Sequence, residues 1–265
     1  QAELNAAGWN SGDWLLTGHD YGGQRFTNIN QITRDNIGSL QTVCTFEPGY
    51  SAQWHANPIV YQGVMYLTAG NATIALEATT CDVRWRHDWT MKERPGFPQN
   101  RGVAIKDGLV VRGTADGFLI ALNMTDGTLR WERQAADSSI GESFTMPPLI
   151  YDDLVIIGPA GSENGVRGWV GAFRLIDGSP VWKFNTVPEP GEPGSETWSD
   201  PGDTLVGGGA VWTPLGFDPE AGLVFVPVSN PAPDFYSEVR QGDNLYTGSL
   251  VVLDVRSGEL EWYFQ

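Results

Sequence analysis

The sequence predicts an all-β protein in which a four-stranded unit repeats as the blades of a propeller. Two observations carry that prediction: a tryptophan that returns at one fixed position in four successive segments, and a composition rich in turn formers and flat side chains. With 33 Gly, 17 Pro and 11 Trp in 265 residues, the chain suits many tight turns better than long helices.

The repeat comes first because a fixed internal period dictates architecture. In each segment a small apolar residue is followed ten positions later by a tryptophan: Ala75 to Trp85, Ala121 to Trp131, Ala172 to Trp182, and Val252 to Trp262. Six positions after the first residue stand Cys81, Gly127, Gly178 and Gly258, and glycine is what a turn with positive φ prefers. Short apolar runs separated by turn residues precede each segment. Pro58 to Tyr61, a Gln62-Gly63 turn and Val64 to Thr68 lead into the first; Pro148 to Tyr151, Asp152-Asp153 and Leu154 to Ile157 lead into the third. Each unit therefore reads as four antiparallel strands, the last two joined by the glycine turn and ending in the tryptophan. The tryptophans lie 46, 51 and 80 residues apart, as expected for one blade per repeat with a large insertion in the fourth. Residues 58–265 are thus assigned to four blades with docking tryptophans at 85, 131, 182 and 262, and residues 1–57 to a segment that completes the ring-closing blade. A β-sandwich would not place a tryptophan at the same point of every unit. These four tryptophans are structural, each docking one blade on the next.

Composition also removes several function classes. A formal net charge of −16 without a basic cluster argues against nucleic acid and anionic membranes and favours a cationic protein partner. No segment approaches the ~18 uninterrupted apolar residues of a membrane span. Cys44 and Cys81 form no Cys-x-x-Cys or haem-attachment motif, and His19, His55 and His87 are scattered, which argues against zinc and covalent haem. Gly207-Gly208-Gly209 lacks the Lys-Ser/Thr of a phosphate loop. The chain opens on Gln1 with no charged-then-apolar leader, as a mature exported chain or a cut sequence would, and the expected location is periplasmic or secreted. In that setting Cys44 and Cys81 are expected to form a disulfide, the alternative being two buried thiols.

The tryptophan repeat resembles the docking motif of the pyrroloquinoline quinone (PQQ)-dependent alcohol dehydrogenases, whose fold is an eight-bladed β-propeller. Further matches run in family order along the whole chain: Asp13-Trp14 to Gly18, Arg25-Phe26, Ile29 to Ile32, Asn100-Arg101-Gly102, Gly161 to Gly168, Gly207 to Trp212, Ser229 to Pro233, and Gly242 to Tyr246. The resemblance implies that Glu163 and Asn230 are ligands of a PQQ-bound metal, Ca2+ or a lanthanide. It implies that Trp212 is the floor under the quinone ring, and that Arg101 and Thr145 hydrogen-bond the cofactor. Thr145 is placed by spacing rather than by a strong motif.

The residues give this assignment support of their own. By repeat phase, Glu163 and Asn230 both fall between the second and third strands of adjacent blades, loops that emerge on one face of a propeller. A carboxylate and an amide oxygen suit a hard cation, and two protein groups leave positions for a chelating ligand. A lone Glu or Asn in a Gly-rich loop is ordinarily a turn residue. Here the shared phase and the resemblance together outweigh that reading. Trp212 lies outside the docking phase and just beyond the run Gly207-Gly208-Gly209, where backbone is expected to approach a flat ligand closely.

The resemblance implies oxidation of an alcohol, sugar or polyol hydroxyl to a carbonyl, with electrons passed to an external acceptor such as a cationic cytochrome c. Three departures qualify it. Pro95 and Gly96 stand where many relatives have paired cysteines covering the quinone, and His55 stands where some relatives have an acidic residue. No catalytic residue is assigned within this chain, because the family's catalytic Asp is expected beyond Gln265, in the remaining half of the propeller. The rival is a non-catalytic interaction scaffold, which needs the docking tryptophans but not Arg101, Glu163, Trp212 and Asn230 together.

Overall fold

The computed structural model describes residues 1–9, 12–49, 54–200, 202 and 207–265. Four antiparallel four-stranded sheets follow one another along the chain. The first contains β1 (Ile59–Tyr61), β2 (Val64–Ala69), β3 (Ala72–Glu77) and β4 (Val83–Asp88). The second has β5 (Ala104–Lys106), β6 (Leu109–Gly113), β7 (Phe118–Asn123) and β8 (Leu129–Gln134). The third has β9 (Leu149–Tyr151), β10 (Leu154–Ile157), β11 (Trp169–Arg174) and β12 (Pro180–Asn185). The fourth has β13 (Gly216–Asp218), β14 (Leu223–Pro227), β15 (Leu250–Asp254) and β16 (Leu260–Phe264). Strand order within every sheet is sequence order, so each is an up-and-down blade of the predicted propeller.

The spacing of ten has a direct structural cause. Ala75 pairs across the strands with Trp85, Ala121 with Trp131, Ala172 with Trp182 and Val252 with Trp262, and a bulge follows each pair. The bulge adds the residue that fixes the count, and the small partner leaves room for the indole. Each indole then reaches the next blade. Nε1 of Trp85 donates to Met124 O at 2.9 Å, that of Trp131 to Leu175 O at 3.0 Å, and that of Trp182 to Val255 O at 3.0 Å.

The turn glycines are needed for two reasons at once. Gly127, Gly178 and Gly258 have φ of 72°, 70° and 73°, and a Cβ on them would lie 2.5, 2.7 and 2.5 Å from the rings of Trp85, Trp131 and Trp182. Trp262, the docking residue of the fourth blade, is 45% exposed.

The middle strands of the first three blades are buried almost throughout, β14 of the fourth buries alternate residues, and β4, β8, β12 and β16 form the more exposed outer edge. Arg112 on β6 is fully enclosed. Its guanidinium donates to the carbonyls of Gly70, Ala72 and Gly113 at 2.9–3.1 Å, tying the first blade to the second. Burial lowers its pKa to about 10.

Blade 1 shows the periodicity of two clearly. Val64, Tyr66 and Ala75 face the main core toward blade 2, whereas Leu67, Ala69, Ile74 and Leu76 form a separate cluster on the opposite face, capped by Phe46. Beside that cap Cys44 and Cys81 form a disulfide, as expected, with Cα atoms 5.8 Å apart.

Residues 14–21 run across the inner edges of the blades. Trp14 exchanges backbone hydrogen bonds with Val60, Phe217 N donates to Tyr21 O at 3.3 Å, and the Tyr21 hydroxyl donates to Ile150 O at 2.7 Å. Burial pushes the Tyr21 phenol up to about 12, against 10.0 for a free side chain. A folded pKa above the unfolded one means this stability is fully present below pH 10 and drains away as pH climbs toward 12. The expected loss is about 1.4 kcal/mol per pH unit, or roughly 2–3 kcal/mol in all. Urea midpoints on either side of that window should fall steeply for the parent protein and less for Tyr21→Phe; equal slopes would contradict the assignment.

Candidate functional site

Two kinds of loop meet on one end of the blades: those joining one blade's last strand to the next blade's first, and those joining second to third strands. The inter-blade loops carry Arg101, Thr145 and Trp212. Their backbones are stitched in sequence around the ring, with Asn57 N donating to Arg101 O and Arg101 N to Thr145 O, each at 2.9 Å. Asn100 explains the Asn-Arg-Gly motif. Its buried amide donates to Gly113 O at 2.9 Å and accepts from Gly102 N at 3.1 Å, which pins the turn that projects Arg101. Gly102, with φ of 131°, is required because a Cβ would lie 2.8 Å from Asn57 O.

Glu163 sits on a single 3-10 turn, Ser162–Asn164, bracketed by Gly161 and Gly165 at positive φ. Asn230 begins the loop after β14. The segment 207–211 passes between these two loops and is hydrogen-bonded to both: Gly208 N donates to Val166 O at 2.8 Å, Gly209 N to Asn230 O at 2.9 Å, and Ser229 N to Ala210 O at 3.0 Å. A Cβ on Gly208 would lie 2.6 Å from Ala232 N, and one on Gly207 or Gly209 would lie within 2.8 Å of Val187. The three glycines therefore serve the crossing of chain past chain. The close approach these glycines allow is to the chain itself, and Trp212 follows three residues after Gly209.

Arg101, Thr145, Glu163 and Trp212 line one open cavity of about 270 Å³, together with His55, Phe97, Gln99, Ala160 and Gly161. The Arg101 guanidinium lies 4.8 Å from the centroid of the Trp212 ring, a cation–π contact. Its Nη1 donates to Thr145 O at 3.4 Å, and the Thr145 hydroxyl donates to Trp212 O at 3.4 Å. Burial moves the Arg101 pKa downward. Trp212 lines the cavity and is 39% exposed.

Asn230 does not line this cavity. Its Nδ2 donates to Pro231 O at 3.1 Å and to the Asp234 carboxylate, so Oδ1 is the end of the amide left without a protein partner among the described residues. Its neighbour Ser229 does reach the Glu163 loop, through a 2.8 Å contact between the hydroxyls of Ser229 and Ser162. Neither serine stood out in the sequence, and only their adjacency to Glu163 and Asn230 could have drawn attention to them. Phe97, two residues beyond the Pro95-Gly96 pair, was missed as well. Among the described residues no cluster of three His, Cys, Asp or Glu side chains forms a self-sufficient metal site.

The residues from Trp14 onward match one family throughout: residues 14–265 fit the PQQ family, the β-propeller domain of glucose, ethanol and alcohol dehydrogenases. The chain belongs to that family. Within it, the chain is 35% identical over 286 residues to quinohemoprotein alcohol dehydrogenase ADH IIB of Pseudomonas putida, covering 100% of this chain and 41% of the relative. It is 35% identical to the quinoprotein alcohol dehydrogenase PedH of P. putida, covering 92% and 44%. Among solved structures, quinohemoprotein alcohol dehydrogenase ADHIIG from P. putida HK5 superposes with a TM-score of 0.93 at 32% identity, covering 100% of this chain and 42% of that one. A europium-containing methanol dehydrogenase superposes with a TM-score of 0.90 at 27% identity, covering 100% and 50%. The chain thus spans less than half the length of these curated relatives. No helix among the described residues is long and apolar enough to cross a membrane.

Proposed function

We propose that this chain is the cofactor-holding half of a PQQ- and metal-dependent dehydrogenase that oxidises an alcohol, sugar or polyol hydroxyl to a carbonyl. The single observation that carries the reading is the convergence of Arg101, Thr145, Glu163 and Trp212, drawn from three inter-blade loops and one 3-10 turn, on one cavity. An interaction scaffold would have no use for that convergence.

The donor set fits the group. An aromatic ring, a guanidinium and a hydroxyl suit a planar polyanionic quinone, and a carboxylate with an amide oxygen from the loop clasped to it suits Ca2+ or a lanthanide. Bound PQQ supplies the two-electron redox chemistry. Trp212 supports the ring plane, Arg101 neutralises carboxylate charge, and the Thr145 hydroxyl turns from its long 3.4 Å bond to Trp212 O to donate to the cofactor. Glu163 and Asn230 hold the cation from adjacent blades. The proton of the substrate hydroxyl goes to an Asp of the remaining half of the ring. Electrons leave to an external acceptor, for which the net charge of −16 favours a cationic cytochrome c. The disulfide supports a periplasmic or secreted location.

Residues 1–57 include the segment that completes the ring-closing blade, with Phe46 covering the outer face of blade 1. Full-length protein stripped of cofactor should regain alcohol-dependent dye reduction when PQQ and Ca2+ are added together. Recovery with neither, or with either alone, would overturn the proposal.

A further inference from the structure

We infer that Ser162 and Ser229 form a clasp that sets the spacing of the two metal-ligand loops, and so act as positioning residues for Glu163 and Asn230. The inference rests on the metal reading above. Each serine directly precedes one proposed ligand, and the two belong to different blades, 67 residues apart. Their hydroxyl oxygens lie 2.8 Å apart, and either can donate. Ser162 is 1% exposed, and its Oγ also accepts from Ala210 N at 3.0 Å, two residues before Trp212. One buried hydroxyl thus joins the carboxylate loop, the amide loop and the segment that leads to Trp212.

A cation bridging two loops binds tightly only when both donors are held at the right separation before it arrives. Without the clasp, the hydrogen bonds that tie the two loops together among the described residues run through the backbone of the 207–211 segment. Each ligand could then relax independently, and the cation would have to order them.

The test uses full-length protein with PQQ and Tb3+, reading sensitised Tb3+ luminescence, alongside thermal unfolding without metal. Ser162→Ala and Ser229→Ala are each expected to weaken Tb3+ binding about tenfold, the double variant no more than the worse single, and Ser229→Thr to retain parent affinity. Independent, multiplying effects of the two alanines would overturn the clasp, as would parent affinity in both. Glu163→Ala separates the two levels. If it weakens Tb3+ binding while the serine variants do not, the clasp alone is wrong; if it changes nothing, the metal reading itself fails.

A second inference rests on different observations. The structure assigns Cys44–Cys81 as a covalent substitute for one tryptophan–glycine dock of the ring. Cys81 occupies in blade 1 the turn position of Gly127, Gly178 and Gly258, with φ of 62° against their 72°, 70° and 73°. Each of those glycines receives the indole of the preceding blade; Cys81 receives Cys44. Around it, Phe46 caps the cluster of Leu67, Ala69, Ile74 and Leu76, and Arg86 donates to Pro48 O at 2.8 Å. The chain from 44 to 48 therefore lies against blade 1 where the last strand of a preceding blade would, and Cys44 takes the place of that blade's docking tryptophan.

The substitution can be reversed. In full-length protein, Cys44→Ser with Cys81→Ser should lower the thermal midpoint, as reductant does to the parent. Cys44→Trp with Cys81→Gly should restore most of the loss and remove the sensitivity to reductant. If the Trp–Gly double variant is no more stable than the double serine, the assignment is wrong.

Discussion

Replacing Gly178 with valine is expected to destabilise the protein by about 3–5 kcal/mol. Two costs add. The residue holds φ of 70°, a conformation worth roughly 1–2 kcal/mol against an L side chain and more against a β-branched one. Its Cβ would also stand 2.7 Å from Trp131 Cζ3 and 3.2 Å from Arg133 Cβ, and such overpacking typically costs about 1–3 kcal/mol. Gly108 is the control. It has φ of 75°, but nothing lies within 4 Å of where a Cβ would stand, so Gly108→Ala should cost only the conformational part, about 1 kcal/mol. Urea unfolding followed by tryptophan fluorescence measures both. Equal losses at the two positions would mean that the glycine–indole contact does not hold the blades together.

The second large effect concerns Glu163. Its replacement by Gln keeps the shape and removes one negative charge from a site with only one other protein donor proposed. Affinity for Ca2+ is expected to fall about 100-fold, and PQQ retention with it. The fold should not suffer, because the Glu163 side chain is exposed and its turn is held instead by Ser162, Gly161 and Gly165. Titration of cofactor-free full-length protein with Ca2+ at fixed PQQ gives the affinity, and thermal unfolding without ligands gives the control. Unchanged affinity would remove Glu163 from the metal site.

Why some of this was legible in the sequence and some was not has a physical answer. The spacing of ten between Ala121 and Trp131 could be read because it is set within one hairpin, by a cross-strand pair and the bulge beside it. The phase of Glu163 and Asn230 could be read for the same reason, since each lies between the second and third strands of a repeated unit. Contacts between units could not. Gly178 announces a turn, but nothing near it in sequence announces Trp131, and the Ser162–Ser229 contact joins positions in different blades. The glycines at 207–209 show the ambiguity most clearly. A run of glycines signals close approach to the backbone without saying what approaches, and here it is Val187 and the chain at Ala232. The path of Tyr21 to Ile150, across the inner edges of the blades, has no local signature either.

Whether Trp212 and the proposed metal ligands together hold a planar quinone is tested most directly by titrating cofactor-free full-length protein with PQQ, with and without Ca2+. Tryptophan fluorescence and quinone absorbance are followed together. The predicted result is a single saturable site whose affinity rises sharply with Ca2+, with the fluorescence change largely lost in Trp212→Leu and the Ca2+ dependence lost in Glu163→Ala. PQQ binding that is indifferent to Ca2+ and unaltered by Trp212→Leu would contradict it.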